Sequence, residues 1–134
     1  MTNILQIKAP LIKDDIELHA LNETHISQLE TLAQDKSIWK FATHEHNRFK
    51  EEWINKATLQ MQQNKRLCFV IFYQGKMVGS TSYYHIDLDN KKLTIGYTWL
   101  HPDYWGSKIN RVIKWIMLDY AFEKLGCIRA EFQV

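Results

Sequence analysis

The chain is poor in the residues that staple or punctuate structure, with two cysteines, two prolines and five glycines among 134 residues. Cys68 sits in an apolar run and Cys127 lies far from it in sequence. Their spacing matches no disulfide framework, zinc site or redox motif, so both are expected as buried free thiols in a reducing compartment. No metal is expected. The scarcity of proline and glycine leaves no linker, repeat or low-complexity segment. Charge of one sign is also missing: 17 basic and 15 acidic side chains give a net +2. Nothing global therefore attracts nucleic acid or a membrane surface, and any anion site must be local. The opening residues, MTNILQIKAPLIKDD, are broken by Lys8, Pro10 and Lys13 and read as neither a signal peptide nor a membrane span. The expectation is one cytoplasmic domain, long enough to bury about two thirds of the surface its unfolded chain exposes.

Aromatic residues are plentiful, with five tryptophans, six tyrosines and six phenylalanines, most of them expected in the core. DIELHAL at 15–21 alternates Ile16, Leu18 and Ala20 against Glu17 and His19, the period of a half-buried strand. Asn22 or Thr24 can cap a helix through Ile26, Leu29 and Leu32. A second helical piece over Lys36 to Phe41 leads into THEHN. Phe49, Trp53, Ala57 and Met61 then mark an amphipathic helix from about Arg48 to Gln63. The runs 66–73, 76–87 and 92–100, separated by Gln74-Gly75 and Asp89-Asn90, predict three antiparallel strands in a meander. CIRAEFQV at 127–134 alternates again and predicts a fifth strand.

The stretch from Thr98 to Gly126 organises the rest. Ile109, Val112, Ile113, Ile116, Met117, Tyr120 and Ala121 recur at the spacing of one buried helical stripe. Trp115, Leu118 and Phe122 form a second apolar side, so the helix is expected to be covered on most sides. Lys108, Arg111 and Lys114 form a basic strip near its start. Ahead of it, Pro102 ends the strand, Gly106 permits a tight turn and Ser107 can cap the helix. Unpaired N–H groups, the helix dipole and Lys108 together suit a phosphate. The same residues also fit an ordinary strand-to-helix turn with a solvated lysine. A strand-helix-strand crossover over 92–134 implies a parallel pair with a right-handed connection, and ligands of such sheets bind beyond the carboxyl ends of the strands. The basic strip alone, flanked only by Trp105 and Trp115, gives little support to a nucleic-acid binder.

The element order, with VGSTSYYHID, IGYTWLHPDYWGSKIN and LDYAFEKLGCIRAEF, resembles the GNAT superfamily of N-acetyltransferases, and within it the RimJ/RimL-type branch. The resemblance covers the chain from Asp15 onward and is most specific over Tyr97 to Gly126. It implies an α/β (α+β) fold: a mixed sheet with an antiparallel meander, flanking helices and a central pair of splayed parallel strands that holds acetyl-coenzyme A. By the resemblance, Tyr97, Trp99 and Leu100 offer backbone groups to the pantetheine arm. Trp105, Gly106, Ser107, Lys108, Ile109 and Asn110 correspond to the pyrophosphate loop, and Arg111 after it is a further cofactor-binding candidate. Lys108 takes the place of a glycine there, and Asn110 that of Gly or Ala. Binding through backbone N–H groups survives the lysine provided that residue 108 does not require positive φ.

The resemblance implies an acetyl-coenzyme A dependent enzyme that acetylates a primary amine, on a protein N-terminus or a small molecule. Thr94 stands where relatives often carry a glutamate base. His85, His101, His44, His46, Tyr83 and Tyr84 are the remaining proton-handling candidates, with no catalytic assignment among them. For His44 and His46 a polar loop is favoured over a metal pair, since two ligands lack the partners that zinc demands. Tyr83 and Tyr84 must point to opposite faces, one into the core and the other to solvent or the ligand groove. Similar enzymes continue past the fifth strand, whereas this sequence stops at Val134. That leads us to expect an incomplete domain with an open sheet edge, pairing as a homodimer through residues 127–134. An inactive domain retaining coenzyme A binding, or serving as an interaction module, is the alternative.

Overall fold

In the computed structural model, which describes residues 10–39 and 50–132, the apolar run RLCFVIFY becomes a strand covered on both faces. Around it lies one sheet in sequential order: β1 (Leu11–Lys13), β2 (Ile16–Ala20), β3 (Arg66–Tyr73), β4 (Lys76–Asp87), β5 (Lys92–Leu100) and β6 (Arg129–Phe132). Neighbours are antiparallel except β5 and β6, which pair in parallel from Lys92↔Arg129 to Ile95↔Phe132. The predicted meander and the parallel crossover are both present, so the fold is the expected mixed α/β sheet. The sheet has one strand more than predicted. LIK alone is too short to show a period, and it joins β2 through Asp14, whose φ of 55° lets two residues turn the chain back.

Helices α1 (Glu23–Leu32) and α2 (Asn55–Gln62) cover one face, and α3 (Ile109–Asp119) covers the other. The predicted second helix is shorter in its α-helical part, being preceded by a π-helical turn over Lys50–Ile54. Phe49 lies outside the described residues. Under α1 and α2 pack Leu29, Trp53, Ala57, Cys68, Val70 and Trp99. Under α3 pack Leu18, Phe69, Val78, Ile95, Ile113 and Met117, among others. The stripe on α3 is buried as predicted, with Val112 and Tyr120 only partly so. The second apolar side is not covered: Trp115 is 50% and Phe122 40% exposed, and Lys13 Nζ lies 4.2 Å above the Trp115 ring. Among the described residues no helix is long and apolar enough to cross a membrane.

Tyr83 shows how the meander is tied to α3. Its ring packs on Phe69, and its hydroxyl donates to the Met117 carbonyl at 2.6 Å. The helix continues as a π-helical turn over Tyr120–Lys124. Burial pushes the Tyr83 phenol far above its usual range, so it remains a donor.

The start of α1 carries a pH dependence. Asn22 caps the helix, with its side chain accepting from the Thr24 N–H, while the Asn22 N–H donates back to His25 Nδ1 at 3.2 Å. That bond requires an unprotonated Nδ1. Burial, and then the neighbouring His19, hold His25 below its ordinary 6.5. Because the folded-state value is the lower one, this contribution is present above about 6.5 and is lost as pH falls through the folded value. The urea midpoint should therefore drop between pH 7 and pH 5. His25→Gln, which can accept the same bond uncharged, should remove about 1 kcal/mol or less of that drop, the scale of one cap interaction. An identical pH profile in the variant would refute the assignment.

Candidate active site

β4 and β5 fall out of step where the site begins. Between the pairs Ser82↔Gly96 and Ser80↔Trp99, β4 contributes Thr81 alone while β5 contributes Tyr97 and Thr98. The extra residue is a β-bulge, and Tyr97 takes it with φ of 53°. An aromatic side chain in that region costs about 1–2 kcal/mol. Consecutive strand residues ordinarily face opposite ways. The bulge instead turns the Tyr97 ring onto the face of Tyr84, at 4.9 Å between centroids, and of Arg66, whose guanidinium carbon lies 3.9 Å from the Tyr97 ring. Thr98 goes to the other face, where its hydroxyl meets that of Thr81 at 2.8 Å.

Beyond β5 the chain turns through a short 3-10 segment, Pro102–Tyr104, into the predicted loop. Gly106 has φ of 74°, a conformation that glycine alone adopts freely, and no atom crowds its α-carbon. Lys108 has φ of −68° and ψ of −12°. A lysine therefore stands there without strain, which satisfies the condition set on this departure from the glycine pattern. The helix cap is displaced by one residue from the prediction. Lys108 occupies the N-cap position, while Ser107 Oγ donates to the Tyr104 carbonyl and accepts from the Ile109 N–H at 3.3 Å. The first helical bond runs from the Val112 N–H to the Lys108 carbonyl. The N–H groups of Asn110 and Arg111 precede it and have no carbonyl within the helix.

The predicted binding residues are thus brought to one end of β5, but in different capacities. Trp99, Leu100 and Ile109 have their side chains in the two cores, which leaves the backbone as their means of contact. Trp105 is 53% exposed, and its indole N–H donates to the Leu100 carbonyl at 2.8 Å, tying the loop to the strand. Lys108 and Arg111 are exposed.

Among the proton-handling candidates, Tyr83 and Tyr84 face opposite sides, as expected, but both are buried, so neither ring faces solvent. Burial raises the Tyr84 phenol, with Tyr97 adding to the shift and Arg66 opposing it. Tyr84 is accordingly protonated at neutral pH and can donate but not accept a proton. His85 is exposed beside the Tyr84 ring. His101, at the end of β5, accepts the Asp103 N–H at Nδ1, and its Nε2 lies 3.9 Å from the Asp35 carboxylate. Thr94 is buried. His44 and His46 lie outside the described residues. Arg66, which sequence reasoning passed over as the polar flank of an apolar run, is buried beside Tyr97.

The fold is shared with known proteins. The chain's fold matches a probable acetyltransferase of the GNAT family from Chromobacterium violaceum with a TM-score of 0.78, at 20% identity over 92% of this chain and 64% of that one. It matches the ribosomal L7/L12 alpha-N-protein acetyltransferase RimL, solved with coenzyme A, with a TM-score of 0.64, at 23% identity over 84% and 67%. It also matches spermidine N-acetyltransferase from Vibrio cholerae, solved with coenzyme A and spermine, with a TM-score of 0.68, at 18% identity over 86% and 68%. The chain spans about two thirds of the length of these proteins. No curated protein matches it. A family model described as an acetyltransferase (GNAT) domain matches residues 15–134, and the chain belongs to that family.

Proposed function

We propose that this chain binds acetyl-coenzyme A and transfers the acetyl group to a primary amine, on a protein N-terminus or a small molecule, in the manner of the RimJ/RimL-type branch. The observation that carries the reading is the turn after β5. Gly106 at positive φ, Lys108 in helical conformation and a first helical turn with unused N–H groups stand together where an α/β sheet places its ligands. The pyrophosphate would lie on the N–H groups of 108, 110 and 111 beside the Lys108 ammonium, and the pantetheine arm along the backbone of Tyr97, Trp99 and Leu100. Acetyl transfer needs a neutral amine held against the thioester, a polarised carbonyl and a proton for the departing sulfur.

Calorimetric titration with acetyl-coenzyme A tests the reading. Saturable binding near one per chain is expected, and absence of binding to a folded sample would overturn it. Turnover of an amine would separate the enzyme from the alternative of an inactive coenzyme A-binding domain. A cytoplasmic homodimer joined through residues 127–134 fits the exposed edge at β6, where Ile128 is 77% and Phe132 44% exposed. Light scattering that gives a monomer at high concentration would exclude the dimer.

A further inference from the structure

Arg66 is buried as few arginines are. It stands at the start of β3 and is 1% exposed. Its Nε donates to Ser82 Oγ at 2.9 Å and its Nη1 to Gln60 Oε1 at 3.3 Å, while Nη2 is buried with no hydrogen-bond partner. A guanidinium carries five N–H donors, so these two bonds leave three unused. Among the described residues no carboxylate pairs with it. Its other neighbours are the rings of Tyr97, at 3.9 Å, and Trp53, at 5.0 Å, together with the Cys68 thiol and the Tyr84 phenol. Rings offset only part of the free energy lost when a cation leaves water. Buried donors in native proteins are almost always satisfied, so a group from outside the chain is the natural completion.

The position of Arg66 says which group. It lies across the sheet from Tyr84, which in turn pairs with Thr94, six residues before Leu100 along β5. Its guanidinium, however, reaches Tyr97, three residues before Leu100, which at the rise of a strand is roughly 10 Å short of the end of β5, and the turn proposed for the pyrophosphate lies beyond that end, so the coenzyme's phosphates are not its partner. It is beside the β5 bulge, on the face covered by α1 and α2, where an acceptor could meet a thioester lying along Tyr97. The rings against the guanidinium leave its N–H edge unpaired, and because that edge has no exposed surface a partner reaches it by displacing the partly exposed Tyr97 ring. A planar carboxylate meets two such N–H groups at once. A fixed cation nearby also disfavours the ammonium form of an amine, which helps to present the neutral nucleophile.

We propose that Arg66 selects the acceptor: the amine substrate carries a carboxylate that docks on the free N–H edge of Arg66, between the rings of Trp53 and Tyr97. The proposal rests on the acetyltransferase reading for the word acceptor, but its test does not require turnover. Binding of N-acetyl amino acids, which have the shape of the product, would be measured by calorimetry against their primary amides over a panel of small, branched and aromatic side chains. At least one acid should bind tenfold or more tightly than its amide. Arg66→Met should abolish that preference, and Arg66→Lys, which keeps the charge but not the N–H edge, should weaken it. If no acid binds more tightly than its amide, or if Arg66→Met retains the preference, the proposal is overturned. The wild-type comparison decides the matter even where a variant fails to fold. Acid preference without acetyl-coenzyme A binding would sink the transferase reading alone, and the reverse result would sink this proposal alone.

Discussion

Gly79→Ala should destabilise the protein by more than about 3 kcal/mol, a large part of the 5–15 kcal/mol that holds an ordinary domain together. A β-carbon at position 79 would lie 2.1 Å from the Trp99 carbonyl oxygen and 3.0 Å from the Leu100 α-carbon. Both obstacles are backbone atoms, so no side-chain rotation relieves them. Gly79 pairs directly with Leu100, and the neighbouring Val78 carbonyl accepts the His101 N–H at 2.8 Å. β5 can retreat only by giving up this end of the ladder, which would also move the strand on which the proposed pantetheine contacts depend. Urea denaturation read by tryptophan fluorescence measures the loss. A midpoint within experimental error of the wild type would show that β4 and β5 do not approach as described.

Gly106→Val should act on binding and leave the fold nearly intact. Here nothing lies within 4 Å of an added β-carbon, so space is no obstacle. The difficulty is φ of 74°, which costs an L-residue about 1–2 kcal/mol, with a β-branched side chain at the upper end. The loop is exposed and can relax into another turn, so the urea midpoint should move little. Relaxation would, however, move the N–H groups of residues 108, 110 and 111 out of register with a pyrophosphate. Acetyl-coenzyme A affinity should fall by roughly tenfold to a hundredfold, the equivalent of about 1.4–2.8 kcal/mol. Lys108→Ala removes one exposed charge from the same place and should cost on the order of 1 kcal/mol. Unchanged affinity in both variants would end the assignment of this turn to phosphate.

Much of this architecture is legible in the sequence because its signals are periodic. The apolar run of β3, the turns at Gln74-Gly75 and Asp89-Asn90 and the stripe on α3 all return in the structure at the expected residues. Gly106 is legible for a similar reason, since a glycine between a strand and a helix announces a conformation. The elements that escape are those without a period. β1 is three residues long and takes its identity from its neighbour. The Tyr97 bulge has no local marker, because it is defined by one residue too many opposite Thr81, a relation between two strands. Arg66 reads as the polar end of an apolar run, and its burial is visible only once Trp53, Ser82 and Tyr97 are brought around it. The exposure of Trp115 and Phe122 escapes as well: helical period locates an apolar face but says nothing of whether another element covers it.

The path from β2 to β3 has a consequence for how such a site can change. Ala20 and Phe69 are direct partners in the sheet, yet the whole excursion carrying α1 and α2 runs between them. Closing that loop carries an entropy cost that grows only with the logarithm of its length, about 0.6 kcal/mol for each doubling. The excursion also lies outside the β3–β4–β5 meander, whose register it does not set. Insertions in the connections of this excursion, as opposed to within α1 and α2 whose Leu29 and Ala57 are core, should therefore cost folding little while reshaping the wall that faces Arg66 and Tyr97. The proposed acceptor side of this protein is free to diverge at a rate that the proposed coenzyme side, built on Gly79, Tyr97 and Gly106, is not.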